Sequence, residues 1–267
     1  MFNTKLNQVK MRNVIVAILM LAGIGVAMSQ SPEERGLQIA KAAEEADLGF
    51  GSSTVELKMI LKNKNGQTSE RSMTTKTLEL TEDGDKSLIA FNSPKDVKGT
   101  ATLTYTHKVG SDDQWLYLPS IKRVKRISSN NKSGPFVGSE FAYEDLSSQE
   151  IEKYSYKFLE QKGNLLLVEQ DPVDPKSGYT RRIVSYNKDN GYRIEKVEFY
   201  DRKDALLKTL VYTDYQLYKG KFWRAGTFNM VNHQSNKETI LNFSDYNFGV
   251  ELSDDDFSQV ALQRAGN

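Results

Sequence analysis

The stretch TVELKMILKNKNG, residues 54–66, decides the fold class. Apolar residues alternate in it with polar ones, and the apolar set is Val55, Leu57, Met59 and Leu61. Because successive residues of a β-strand point to opposite faces, this period of two predicts a strand with one apolar face. The dipeptide Asn65-Gly66 follows and favours the tight turn of a β-hairpin. The stretch therefore predicts the first hairpin of an antiparallel sheet.

Further strands follow the same alternation along the chain. Apolar and polar side chains alternate around residues 101–105, 154–158 and 240–244, with turn signals at Asp83-Gly84 and Lys219-Gly220. About ten strands are predicted, without a repeated strand–helix–strand pattern, so the sheet should be antiparallel. Such a sheet must cover its apolar face, either as a two-sheet sandwich or as one strongly curved sheet around a helix or a ligand.

One helix is predicted before the strands. Ser31 is a suitable N-cap, Pro32 takes the first helical position, and Glu34 completes a capping box. Gly49 is a suitable C-cap. The apolar stripe of the helix is thin and consists of Leu37, Ala40, Ala43 and Ala46. A helix with so little apolar surface must dock on another element.

The amino terminus has the three-part layout of a secretory signal peptide. Basic residues without any acid precede an apolar run over residues 14–26, which is shorter than the roughly 20 residues of a spanning helix. Ala27 and Ser29 supply the small residues of a cleavage site before Gln30, and Gly25 and Ala27 supply those of a second possible site before Met28. We predict a signal peptide over residues 1–29, export to the periplasm, and a single domain over residues 30–267. An uncleaved membrane anchor is the alternative.

The composition disfavours several classes of protein. The chain has no cysteine and two histidines, His107 and His233, which excludes disulfides and thiolate metal sites and argues against zinc. Residues 1–29 contain three basic side chains and no acid, so their removal changes the formal net charge from +1 to −2. A nucleic-acid binder needs a basic surface instead. No hydrolase, nucleotide-binding or metalloprotease motif occurs, and we predict no enzymatic activity, no metal and no cofactor.

A cluster of positive charge, here called the basic cluster, follows an aromatic run in WLYLPSIKRVKRI, residues 115–127. Its members are Lys122, Arg123, Lys125 and Arg126. Pro119 interrupts the run, and charges on both faces of any continuing strand favour an exposed irregular segment. Two roles stay open. One is contact with anionic lipid head groups or an acidic partner, and the other is protection of a solvated strand edge from aggregation.

Three blocks in a fixed order give the chain a family resemblance. They are SPKDVKGTATLTY (residues 93–105), DDQWLYLPSIKRVKRI (112–127) and GPFVGSEFAYEDL (134–146). With them the chain resembles the LolA-like family of outer-membrane lipoprotein-sorting proteins, and within it a branch of largely uncharacterised periplasmic members. The arginine that the best-known carriers use for lid closure has no matched position here.

The resemblance implies a mainly β fold, a strongly curved and incomplete antiparallel barrel with an N-terminal helix and short helices over its concave face. It also implies an apolar cavity for acyl chains of a lipid or lipoprotein, with an inner-membrane transporter or an outer-membrane acceptor as partner. Ten apolar side chains are candidates for the concave face, with core packing as the alternative for each: Val55, Leu57, Met59, Leu61, Leu103, Tyr105, Trp115, Tyr117, Leu241 and Phe243.

Three functional hypotheses follow. The first is a periplasmic carrier of a lipid or lipoprotein. The second is a non-enzymatic accessory protein of an envelope or membrane-transport complex, whose concave face binds a peptide or protein. The third is a hydrolase with an unrecognised site. Lipid that co-purifies with the protein distinguishes the first from the second, and turnover of ester or glycan substrates would support the third.

Overall fold

The computed structural model describes residues 30–266, and the signal peptide predicted for residues 1–29 lies outside them. The described residues form one sheet of 13 strands, a separate two-stranded hairpin and two α-helices. The helices are α1 (Pro32–Asp47) and α2 (Gln259–Ala265). The strands are β1 (Ser52–Lys62), β2 (Thr68–Leu78), β3 (Lys86–Ser93), β4 (Ala101–Tyr105), β5 (Asp113–Leu118), β6 (Arg123–Ile127), β7 (Tyr154–Lys162), β8 (Leu165–Pro172), β9 (Tyr179–Asn187), β10 (Arg193–Asp201), β11 (Leu206–Thr213), β12 (Gln216–Tyr218), β13 (Phe222–Arg224), β14 (Thr227–Asn232) and β15 (Lys237–Phe248).

The large sheet is antiparallel, curved and open. Its strands follow the order β6-β5-β4-β3-β2-β1-β15-β14-β11-β10-β9-β8-β7, and β12 pairs with β13 apart from it. The two edge strands, β6 and β7, are not hydrogen-bonded to each other. Side chains from β1 to β3 nevertheless share one core with side chains from β7 to β11, which requires strong curvature. The predicted incomplete antiparallel barrel is confirmed.

Helix α1 begins as the capping box predicts. Ser31 Oγ accepts a hydrogen bond from Glu34 N at 3.1 Å, and the Glu34 carboxylate accepts one from Ser31 N at 3.0 Å. The C-cap is Leu48, one residue before the predicted Gly49. The helix approaches β7 closely at Gly36, where a Cβ atom would lie 2.8 Å from backbone nitrogens of β7. No helix within residues 30–266 has the length and apolarity to span a membrane.

Residues 128–153 connect the two edge strands, and we call them the crossover segment. The segment contains short 3-10 turns and buries Phe136 and Phe141 in the core of the concave face. Lys208 Nζ of β11 lies 2.6 Å from Asp145 Oδ2 of the segment, and both side chains are buried. The crossover segment and α1 together cover the concave face, as the resemblance implies.

Helix α2 covers the opposite, convex face of β3 to β5. The cluster beneath it, here called the convex patch, consists of Leu88, Ala90, Ala101, Leu103, Tyr117, Phe257 and Leu262. The resemblance did not imply this second cover.

Two strand predictions are wrong. The described residues form 15 strands, more than the about ten that the alternation indicates, and two of them, β12 and β13, are three residues long and too short to display a period. The residues after Pro119 are not irregular either. One 3-10 turn, Pro119–Ile121, leads into β6, which pairs with β5. Because β6 is an edge strand, it tolerates charged side chains on both faces.

Candidate functional site

A cavity of about 510 Å³ lies between the concave face, the C-terminal half of α1 and the β12–β13 hairpin. Val55 and Phe243 line it from the sheet, Ala40 and Ala43 from the helix, and Trp223 from the hairpin. Its volume is within the range of about 300–1,000 Å³ that is usual for ligand pockets. The described residues therefore leave room for a ligand beside an apolar surface.

Aromatic rings form a continuous wall on the sheet side of the cavity. Ring centroids of Tyr212 and Phe228 are 4.6 Å apart, those of Phe228 and Phe243 are 4.5 Å apart, and those of Phe243 and Tyr246 are 6.0 Å apart. We call these four residues the aromatic wall. All four are only partly buried. Burial still raises the pKa of Tyr212 and Tyr246 above the ordinary value, so both phenols remain neutral.

A buried network of hydrogen-bonded polar side chains lies next to this wall. Arg182 Nε donates to Gln170 Oε1 at 2.7 Å, and Gln170 Nε2 donates to Tyr186 OH at 2.7 Å. The Arg182 guanidinium also lies 3.8 Å from the ring centroid of Tyr154. Arg182 is 7% exposed and Gln170 is 2% exposed, and Arg182, Gln170 and Tyr186 all line the cavity. The cavity therefore combines apolar walls with the buried positive charge of Arg182.

Carboxyl groups also line the cavity. Burial, with the negative charge of Asp85 nearby, raises the pKa of Glu150 to about 7, and Glu150 is 8% exposed. Burial likewise raises the pKa of Asp85 to about 6. Glu44 of α1 lines the same cavity, and burial and the charge of Glu152 raise its pKa too. These carboxyls hold protons at a pH where exposed ones are ionised.

The structure divides the ten predicted concave-face residues between the two faces of the sheet. Directly paired residues of neighbouring strands point to the same face. In β3, Phe91 pairs with Met73, which pairs with Leu57, whereas Leu88 pairs with Leu103. Phe91 and Leu88 are three residues apart and so point to opposite faces.

Six of the ten belong to or pack against the core on the concave face, and they are Val55, Leu57, Met59, Leu61, Leu241 and Phe243. Among them, Val55 and Phe243 line the cavity. The other four of the ten belong to or pack against the convex patch, and they are Leu103, Tyr105, Trp115 and Tyr117. Their prediction is corrected, because alternation reveals an apolar face without telling which side of the sheet it occupies.

The basic cluster lies on β6 and the turn before it. Its four side chains, Lys122, Arg123, Lys125 and Arg126, are all exposed. Arg126 forms an ion pair with Asp113 of β5, and the other three form none within residues 30–266. Among the described residues, no strand neighbours the outer edge of β6. The cluster is far along the strand order from the cavity, and both roles considered for it stay open.

The two histidines do not come together. His107 Nδ1 lies 2.7 Å from Asp83 Oδ2, and its Nε2 lies 3.2 Å from Asp113 Oδ2. The hydrogen bond with Asp83 raises the pKa of His107. His233 Nε2 lies 2.8 Å from Thr209 Oγ1. Within residues 30–266, no three His, Asp or Glu side chains are grouped so that they could hold a metal ion.

Sequence reasoning missed Arg182 and Gln170, although the chain carries a signal for both. In β9, Arg182 shares its face with Val184 and Tyr186, and in β8, Gln170 shares its face with Val168. A polar residue in register with an apolar face is the pattern that marks a buried polar group.

Solved structures resemble this chain over most of its length. A domain from Vibrio parahaemolyticus, presumed to be an outer membrane lipoprotein-sorting protein, is 53% identical with a TM-score of 0.85, and the match covers 87% of this chain and 100% of that domain. A DUF1329 family protein from Desulfovibrio piger is 27% identical with a TM-score of 0.81, and the match covers 87% of this chain and 100% of that protein.

A LolA superfamily protein from Nitrosomonas europaea shares the fold at lower identity. It is 21% identical with a TM-score of 0.67, and the match covers 85% of this chain and 99% of that protein. In addition, residues 83–264 match the model of a family described as an uncharacterized protein. A search of the curated proteins found no match.

Proposed function

Because the chain belongs to the LolA-like family of outer-membrane lipoprotein-sorting proteins, we propose that it is a periplasmic carrier that binds acyl chains of a lipid or lipoprotein. The observation that supports this proposal is the cavity of about 510 Å³ beside the aromatic wall. The role is non-enzymatic, since binding and release of cargo require no covalent step.

A carrier needs such a cavity for a physical reason. Each CH₂ group buried from water contributes about 0.8 kcal/mol, so acyl chains do not cross an aqueous compartment uncovered. A closed protein core cannot accept them, because its interior is already packed. A curved sheet with partly exposed rings on its concave face provides apolar surface and space together.

Weak contacts hold the β12–β13 hairpin against the end of α1 beside the cavity. Arg224 of β13 forms an ion pair with Asp47 at the end of α1, and Lys221 Nζ donates to Leu48 O. The Asp47 side chain is 53% exposed, and exposed ion pairs contribute at most about 1 kcal/mol. We infer that the hairpin and the end of α1 separate to admit an acyl chain.

Transport through the periplasm requires export. We propose that residues 1–29 are a cleaved signal peptide and that residues 30–267 are the carrier domain. Intact mass of the protein released by osmotic shock should correspond to a chain that starts at Met28 or Gln30. A full-length product in the membrane fraction would contradict this assignment.

A neutral fluorescent probe tests the carrier proposal. Delipidated protein should bind N-phenyl-1-naphthylamine, and hexadecanol should displace it. Val55→Trp fills the cavity and should reduce the amount of bound probe, whereas Val211→Trp is a matched control, because Val211 lies in β11, is 38% exposed and points to the convex face. Absence of probe binding to the wild type would contradict the proposal.

The alternative is a non-enzymatic accessory protein of an envelope complex. One observation favours it, namely the exposed, unpaired edge of β6 with the basic cluster, because sheet edges can pair with a strand of a partner. Such a protein would bind its partner without probe or lipid in the cavity.

A further inference from the structure

Arg182 is a buried charge for which the described residues supply no counter-ion. It is 7% exposed, and none of the ion pairs within residues 30–266 includes it. Its neighbour Arg181 points to the other face, where it pairs with Glu169 and Asp204. Because a buried charge without a partner is destabilising, this position needs an explanation other than folding.

The guanidinium is held so that its outer end stays available. Gln170 Oε1 accepts the Nε–H, and the ring of Tyr154 lies under the guanidinium plane at 3.8 Å. Gln170 is fixed in turn by Tyr186 OH at 2.7 Å. No described acceptor lies within hydrogen-bond distance of the two terminal nitrogens. Those nitrogens form a planar fork, which matches a carboxylate or a phosphate with two parallel hydrogen bonds.

Other charged groups around the cavity form their own ion pairs or form none with Arg182. Arg193 pairs with Glu195 and Arg224 pairs with Asp47. The carboxyls of Asp85 and Glu150 line the cavity but form no ion pair with Arg182. An anion in the cavity would therefore find its counter-charge at Arg182.

We propose that Arg182 receives the anionic head group, a carboxylate or phosphate, of an amphiphile whose chain lies along the aromatic wall. The proposal rests on the carrier function proposed above and specifies the chemical class of the cargo. The amphiphile binds with its head inside the cavity, held by the two terminal nitrogens of Arg182. Its tail lies against Phe228 and Phe243.

Three amphiphiles test the head group with the purified, delipidated protein. Palmitate carries a carboxylate, palmitoyl lysophosphatidate carries a phosphate, and hexadecanol carries no charge. Displacement of the neutral probe at pH 8 should give an affinity about tenfold higher for at least one anionic amphiphile than for hexadecanol, as expected for a charge-assisted, bidentate contact. The anionic amphiphile that binds with the higher affinity shows whether the site prefers a carboxylate or a phosphate head group.

Adjacent arginines provide matched variants. Arg182→Gln should abolish the preference for the anion and leave the affinity for hexadecanol unchanged. Arg182→Lys keeps the charge without the fork and should retain a reduced preference. Arg181→Gln should behave like the wild type, because Arg181 lies on the other face. If circular dichroism shows that Arg182→Gln does not fold, the preference of the wild type and that of Arg182→Lys decide whether Arg182 binds the head group.

The outcomes separate this inference from the carrier function. Equal wild-type affinity for the three amphiphiles would overturn the role of Arg182 and leave the carrier function standing. A preference that persists in Arg182→Gln would have the same meaning. Failure of all three to displace the probe, or failure of the probe to bind, would contradict the carrier function itself.

Discussion

The sheet has two apolar regions on opposite faces, and they differ in what fills them. In the convex patch, Leu103, Phe257 and Leu262 are all 0% exposed, because helix α2 covers the strands completely. The aromatic wall on the concave face remains partly exposed beside a cavity of about 510 Å³. A face that the chain fills by itself contributes to stability, whereas a face left open offers space to a ligand.

The helices that cover the two regions also differ in how firmly they are held. Helix α2 and the turn before it insert Phe257 and Leu262 into the patch, and Tyr105 OH donates to Phe257 O. Beside the cavity, the end of α1 is held by Lys221 and by the ion pair between Arg224 and the exposed Asp47. Separation of the first cover would expose a packed core, and separation of the second would break surface contacts of small free energy.

The largest effect is expected in the convex patch. Phe257→Ala should lower the free energy of unfolding by about 3–5 kcal/mol, the usual cost of removing a buried aromatic side chain. Urea unfolding measures the loss. Binding of the neutral probe to the folded Phe257→Ala variant should not change. Phe243→Ala in the aromatic wall should lower the free energy of unfolding by less and should weaken binding of the probe. Equal losses for both variants would remove the distinction between the two regions.

A larger side chain should have different effects on stability and probe binding at two inward positions of β1. Met59 is 1% exposed and does not line the cavity, so Met59→Trp overpacks the core and should lower the free energy of unfolding by about 1–3 kcal/mol. Val55 lines the cavity, so Val55→Trp should cost less stability and reduce bound probe. A larger loss of stability for Val55→Trp would mean that the space beside it is not a usable cavity.

Glu150 should make stability depend on pH. Its pKa is raised to about 7 in the folded protein, so the folded state binds its proton more tightly than the unfolded state, and stability falls as the pH rises from about 4.5 to about 7. Glu150→Gln should therefore be more stable than the wild type by about 1–3 kcal/mol at pH 8 and equal to it at pH 4. Thermal unfolding at both values checks this, with the exposed Glu152→Gln as control. A gain that is the same at pH 4 and pH 8 would refute the linkage.

The basic cluster should have the smallest effect on stability. Replacement of Lys122, Arg123, Lys125 and Arg126 by glutamine should leave the unfolding midpoint unchanged, because all four side chains are exposed. If the cluster contacts anionic head groups, the variant should bind anionic vesicles more weakly, and the difference should fade in high salt. Unchanged vesicle binding would favour protection of the β6 edge.

Local patterns could predict much of the fold, and long-range register could not. The capping box at Ser31 and the Asn65-Gly66 turn act through neighbouring residues, so both α1 and the first hairpin begin where the sequence indicates. Leu57 and Leu103 alternate equally well, yet their faces are set by pairings that run through two intervening strands, β2 and β3. The cavity depends on the absence of a side chain that would fill it, which no local pattern encodes.

Mass spectrometry of an organic extract tests the central claim most directly. The protein should be purified from the periplasm without detergent and extracted beside the Val55→Trp variant and the Val211→Trp control. We expect an acyl lipid in near-stoichiometric amount in the wild type and the control, and a clear reduction in Val55→Trp. Absence of acyl lipid from the wild type, together with failure of the delipidated protein to bind a long-chain probe, would contradict a carrier function.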